Sequence, residues 1–169
     1  MPPYYGPLQV NTDVENDTPS IGDHYCGSSV AKTICQVVRY PTMFGTSGIR
    51  GPIGETVTAD TALSVGRALA SEGYQTVVIG RDPRDSGRML AKALSSGLEE
   101  CGADVIRLGQ AATPTVARSV SWQDADAGVS ITASHNPSRD NGLKLWTPSG
   151  QAFDAEQRDR IAARVEAGE

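Results

Sequence analysis

Ala127-Gly128-Val129-Ser130-Ile131-Thr132-Ala133-Ser134-His135-Asn136-Pro137, followed by Asp140-Asn141-Gly142-Leu143-Lys144-Leu145-Trp146, carries the reading of this chain. Ala127, Val129 and Ile131 alternate with smaller or polar residues, the period of a strand, and Asn136-Pro137 then makes the backbone turn. The spacing predicts a strand over 127–132 that opens into a loop of hydroxyl, imidazole and amide groups. Such a loop leaves N–H groups pointing outward, which suits an anionic oxygen cluster near Ser134, with phosphate as the candidate. A second alternation over 143–147 predicts the next strand, antiparallel to the first if the loop closes as a hairpin. Lys144 on that strand can return its ammonium to the same mouth.

Upstream, helical and strand periods take turns. Thr58 reads as an N-cap with Asp60 in the first turn, and Ala62, Val65, Gly66 and Leu69 share one stripe that ends at Gly73. A buried strand over 76–80 follows, and Gly80-Arg81-Asp82-Pro83-Arg84 lies at its carboxyl end, where open α/β sheets place ligand loops. Ser86 is expected to cap a helix with Leu90, Leu94, Gly97, Leu98 and Cys101 on its core side. A strand over 103–108 leads to Thr113-Pro114, read as N-cap and first helical residue, and then to Val116, Ala117 and Val120. Trp122 reads as a packing residue and 124–126 as a solvated turn. Asp154 and Gln157 form a capping-box pattern ahead of Ile161, Ala162 and Val165.

The 169 residues suffice for one domain with a core. The net charge of -5 argues against nucleic acid as a partner, and no apolar run approaches a membrane span, so a cytoplasmic location is expected. Cys26, Cys35 and Cys101 show no paired spacing, and nothing completes a tetrahedral site around His24, Cys26 and Cys35. Residues 1–42, rich in proline and small polar residues, read as a loop-like extension with one short ordered element at 30–40. The domain itself is expected over 43–169.

Phe44-Gly45-Thr46-Ser47-Gly48-Ile49-Arg50-Gly51, Gly80-Arg81-Asp82-Pro83-Arg84 and Thr132-Ala133-Ser134-His135-Asn136-Pro137 with Asn141-Gly142-x-Lys144 occur in that order. Together they resemble the motifs of the α-D-phosphohexomutases, the family of phosphoglucomutase, phosphomannomutase and phosphoglucosamine mutase. The resemblance covers the first of that family's four domains. It implies a three-layer α/β/α fold with a small mixed sheet, and interconversion of hexose 1-phosphate and 6-phosphate through a phosphoserine and a bisphosphorylated sugar. On this likeness Ser134 carries the phosphate, Arg50 faces it, Lys144 moves a proton at the sugar hydroxyl, and His135 hydrogen-bonds the phosphate, helps move protons or pins the loop. Thr46, Ser47, Arg81, Asp82, Asn136 and Asn141 are the expected phosphate-binding or supporting residues.

The resemblance also implies Mg²⁺, bound to Ser134 only through its phosphate and otherwise by an Asp-Gly-Asp-Gly-Asp loop that this sequence lacks. The implied partners are a phosphosugar and either the family's remaining domains or a homologous chain, and the isolated chain is expected to be inactive. Two alternatives stay open. One is a non-catalytic phosphate-binding or interaction module. The other is a serine hydrolase, against which stand Ala133 and His135 flanking the serine and the tendency of neighbouring strand-end residues to point apart.

Overall fold

The computed structural model describes residues 44–168. The expectations for residues 1–42, including the short element at 30–40 and the reading of His24, Cys26 and Cys35, lie outside the described residues. The elements run β1 (Ile49–Pro52), α1 (Ala59–Ser71), β2 (Thr76–Arg81), α2 (Gly87–Glu100), β3 (Asp104–Gln110), α3 (Thr113–Trp122), β4 (Ala127–Ile131), β5 (Asp140–Trp146) and α4 (Ala155–Ala167). The sheet order is β1-β5-β4-β2-β3. β2 is parallel to both β3 and β4, whereas β5 is antiparallel to β4 and to β1, which makes the sheet mixed as expected.

Two layers of helix cover the sheet unequally. Ile49, Val77, Ile79, Ala127, Val129, Ile131, Leu143 and Leu145 face one way and pack with Ala62, Val65 and Leu69 of α1, Leu90, Leu94 and Leu98 of α2 and Ile161 of α4. Each large aliphatic side chain fully buried here contributes about 1.5–3 kcal/mol. Among the described residues the opposite face packs against α3, where Val78 of β2 and Trp146 of β5 meet Val116, Ala117 and Val120. Alternation of side chains then puts Arg50, Gly142 and Lys144 on the part of this second face that α3 does not reach.

Local signals explain most element ends. The Thr58 hydroxyl accepts from the Thr61 N–H at 3.0 Å, and Asp154 with Gln157 completes both bonds of the capping box. Several sequence expectations need correction. Ser86 occupies the N-cap of α2 but makes no side-chain cap, because its hydroxyl accepts from Asn141 Nδ2 at 2.9 Å instead. Cys101 is exposed just past the end of α2, outside the core stripe. α3 begins at Thr113 with Ala112 as N-cap, so Pro114 is its second residue. Trp122 is 66 % exposed, with Arg118 5.2 Å above its ring. Asp126 is more than solvated turn, since its Oδ2 accepts the N–H groups of Gln75 and Thr76 and fixes the start of β2.

α4 is tied to the end of α1 by Glu72, which takes Arg164 at 2.5 Å and Arg160 at 2.8 Å while only 17 % of its side chain is exposed. The hydrogen bond from Arg164, reinforced by Arg160, holds its carboxyl below the ordinary value of 4.5 against the opposing effect of burial. A depressed carboxylate contributes stability above its unfolded pKa and loses it as pH falls through the folded one. Glu72→Gln should therefore cost about 1–2 kcal/mol in urea titration at pH 7. As pH falls below 4.5 and on through the lowered folded pKa, the native chain and the variant should converge.

Candidate functional site

The carboxyl ends of β2 and β4 adjoin, and two loops leave from them side by side. Asp82 donates its N–H to the Ile131 carbonyl at 3.0 Å, and Thr132 donates its own to the Gly142 carbonyl at 2.9 Å. The 82–86 and 132–140 loops thus start from one rim, at the carboxyl ends of β2 and β4.

Ser134 and His135 are exposed at this rim, although Thr132 and Ala133 just before them are buried. Ser134 has φ 55°, a left-handed backbone that an ordinary side chain adopts at a cost of about 1 kcal/mol. That turn brings His135 Nδ1 to 3.4 Å from Ser134 Oγ, so the expectation that the two side chains point apart does not hold. Among the described residues, no carboxylate is bonded to the His135 ring, and the relay of a hydrolase is incomplete. The Ser134 N–H is not free either, because it donates to Thr132 Oγ1 at 2.9 Å, and the Asn136 N–H donates to the Ala133 carbonyl.

Arg84 holds the loop from below. Its Nε donates to Asp82 Oδ2 at 3.0 Å, one terminal nitrogen to the Pro137 and Asp140 carbonyls at 2.6 and 2.9 Å, and the other to the Ser134 and Asn136 carbonyls at 3.0 and 2.8 Å. All five guanidinium N–H groups are used within the chain. Thr132 completes the support, donating its hydroxyl to Asp82 Oδ2 at 2.7 Å. Arg84 and Thr132 are not among the site residues expected by number, although Gly80-Arg81-Asp82-Pro83-Arg84 also reads as an Arg–Asp ion pair that holds its loop in shape, and Arg84 forms that pair. The one available signal was Asp82-Pro83-Arg84, where an acid and a base two residues apart around proline favour a local ion pair.

Among the residues expected from the sequence, Arg50 pairs in register with Gly142, one strand from Thr132. A Cβ on Gly142 would lie 2.8 Å from Arg50 Cγ and 2.9 Å from the Thr132 carbonyl, so only glycine lets the Arg50 stem pass close to the serine loop. Arg50 Nε is buried and has no hydrogen-bond partner in the protein. Lys144 lies opposite Ser130 on the same face, its ammonium 4.5 Å from the Trp146 ring centre. Thr46 and Lys144 line one small crevice with Gly48 and Arg158. Ser47 is exposed in the Gly45–Gly48 turn.

The remaining expected residues make internal bonds. Arg81 donates to the Asp82 carbonyl, and Asn136 donates to Asp140 Oδ2. Asn141 is fully buried, bonded to Ser86 and to the Gly142 N–H. As for Mg²⁺, among the described residues no group of three or more His, Cys, Asp or Glu side chains could cage a metal ion. Asp82 is already engaged by Arg84 and Thr132. The residues present do not form a magnesium site by themselves.

A three-layer domain with this mixed sheet and its loops gathered at strand ends has the fold of domain I of the phosphosugar mutases. The chain belongs to the phosphoglucomutase/phosphomannomutase family, whose description "Phosphoglucomutase/phosphomannomutase, alpha/beta/alpha domain I" matches residues 41–169. A phosphoglucosamine mutase of Mycobacterium sp. (strain KMS) is 45 % identical over 133 residues, covering 75 % of this chain and 30 % of its own length. A relative from Methanococcoides burtonii is 48 % identical over 124 residues, with 73 % of this chain and 28 % of its own length covered. The crystal structure of a phosphoglucomutase/phosphomannomutase family protein from Burkholderia thailandensis superposes with TM-score 0.65 at 34 % identity, over 73 % of this chain and 30 % of that one. The chain thus spans under a third of the length of these relatives. Among the described residues no helix is long and apolar enough to cross a membrane.

Proposed function

We propose that this chain supplies the phosphoserine domain of a phosphohexomutase, which interconverts a hexose 1-phosphate and a hexose 6-phosphate. The observation that carries the reading is Ser134 itself: an exposed hydroxyl on a braced, left-handed turn at a strand exit, with Arg50 one strand away in register with Gly142, whose carbonyl takes the Thr132 N–H. A phosphate on Ser134 adds about -1.5 to -2 of charge and needs cationic partners. The buried, unpartnered Nε of Arg50 is a donor such an anion could satisfy.

In the forward half-reaction the bond between phosphorus and Ser134 Oγ breaks as one forms to a sugar hydroxyl oxygen. The hydroxyl proton passes to a base, a role suited to Lys144, and the serine oxygen recovers a proton, which His135 at 3.4 Å can deliver. Return of the sugar's other phosphate to Ser134 completes the isomerisation. Catalysis of this kind rests on position and charge compensation. Magnesium would take one phosphoserine oxygen from this chain and its other ligands from elsewhere, and no step is assigned to it. Sugar choice and turnover are assigned to the remaining domains of the full-length relatives, or to a homologous chain that supplies them.

Intact mass of the purified chain, before and after phosphatase, tests the reading. A labile phosphate mapped to Ser134 is the expected result, with glucose 1-phosphate turned over only after the missing domains are added. Unphosphorylated Ser134 that reacts instead with a fluorophosphonate probe would replace the mutase reading with a hydrolase.

A further inference from the structure

The serine loop is held by one closed circuit, and its geometry is more specific than general support. Asp82 Oδ2 accepts two bonds, from Thr132 Oγ1 at 2.7 Å and from Arg84 Nε at 3.0 Å. The first arm ends on the Ser134 N–H, which donates to Thr132 Oγ1 at 2.9 Å. The second ends on the Ser134 carbonyl, which accepts from Arg84 at 3.0 Å. Both polar groups of one residue are therefore bonded to two arms that meet at a single carboxylate oxygen, and that residue alone in its loop has a positive φ.

Either arm by itself would leave the residue free to rotate about the bond it holds. Together they fix the direction of its N–H and its carbonyl, and hence of its Cα–Cβ bond. The carboxylate also sits where neither arm can let go cheaply: Asp82 is 20 % and Arg84 13 % exposed, and Thr132 is 6 % exposed. A charged acceptor makes both bonds stronger than neutral ones. Asp82 is itself anchored, because its Oδ1 takes the Arg84 N–H and its own N–H is bonded to the Ile131 carbonyl. The circuit thus refers Ser134 to β2 and β4, adjacent parallel strands in the interior of the sheet.

We infer that Asp82, Thr132 and Arg84 are positioning residues: a clamp, pivoted on Asp82 Oδ2, that keeps Ser134 left-handed and so fixes the direction of its Oγ. The clamp touches neither phosphate nor sugar, and its five-donor arm has no N–H to spare for them. Its use for phosphoryl transfer rests on the mutase reading, because a reacting oxygen displaced by about 1 Å can cost on the order of a hundredfold in rate. The conformational claim stands without that reading.

Thr132→Val keeps the shape of a buried side chain and removes only the hydroxyl, and Thr132→Ser restores it. Backbone scalar couplings of Ser134, measured by NMR on the full chain, report its φ directly. Urea titration run alongside reports global stability. The expected result is loss of the positive-φ signature in Thr132→Val and in Asp82→Asn, its retention in Thr132→Ser, and a fold that stays cooperative in all three. Retention of that signature in Thr132→Val would overturn the clamp, and so would its loss in Thr132→Ser as well. Should Asp82→Asn unfold, the threonine pair still decides. Phosphate content of the native chain tests the mutase reading separately, so either claim can fail while the other survives.

Discussion

Arg84→Met should destabilise the chain by about 2–4 kcal/mol, more than any other single change at the rim. Methionine keeps much of the aliphatic stem, so the loss reads the guanidinium rather than packing. Five bonds go at once, four of them to main-chain carbonyls of residues 134, 136, 137 and 140. Those carbonyls converge on one point because the loop is wrapped around the arginine, and without it they would face one another across a space lined with like partial charges. The Asp82 carboxylate also loses its ion pair while four-fifths covered. Water can reach the more open carbonyls and replaces some of this, which keeps the figure below the sum of five separate bonds. Arg84→Lys should recover well under half, since a point ammonium with three donors cannot span a fork of four carbonyls and a carboxylate. Urea titration gives the magnitude, and amide exchange across 134–140 shows where it falls. A loss below about 1 kcal/mol would mean that solvent already carries these carbonyls.

What could be read in the sequence was whatever side chains announce about their own backbone. The alternation of Ala127, Val129 and Ile131, the Thr58 cap and the Asp154–Gln157 box are local devices, and each formed where its pattern lay. The antiparallel pairing of β4 and β5 followed from the hairpin signal, whereas the mixed sheet came from the family resemblance. Of the partners of Arg84 only Asp82 is local enough to read; the others are carbonyls some fifty residues away, and a carbonyl carries no residue signature. The same holds for Ser134, whose left-handed φ is imposed by bonds from elsewhere and not by glycine. Ser86 and Cys101 were misread because a cap pattern and a core stripe are both statements of tendency. Tertiary contact with Asn141 took the Ser86 hydroxyl, and the end of α2 left Cys101 beyond the sheet.

Gly97→Ala is the second large change, and it acts on the site from a distance. Gly97 of α2 and Gly66 of α1 lie where the two helices cross, and a Cβ at Gly97 would sit 2.1 Å from the Leu63 carbonyl oxygen. The converse holds for Gly66, whose Cβ would meet the Leu94 carbonyl oxygen at 2.4 Å. In both cases the obstacle is main chain, which cannot swing aside as a side chain can. Alanine gains about 1 kcal/mol from helix propensity, but the helices would have to separate by about 1 Å, at an overpacking cost on the order of 3 kcal/mol or more. A net loss of about 2–3 kcal/mol is expected in urea titration. Moving α2 also moves its first turn, where Ser86 holds Asn141 of β5 and the 82–86 loop enters. Amide protection at Ser134 should therefore fall in Gly97→Ala beyond what the lower global stability accounts for. If it falls only in proportion to global stability, α2 and the serine loop are not mechanically coupled, and the rim is set by β2 and β4 alone.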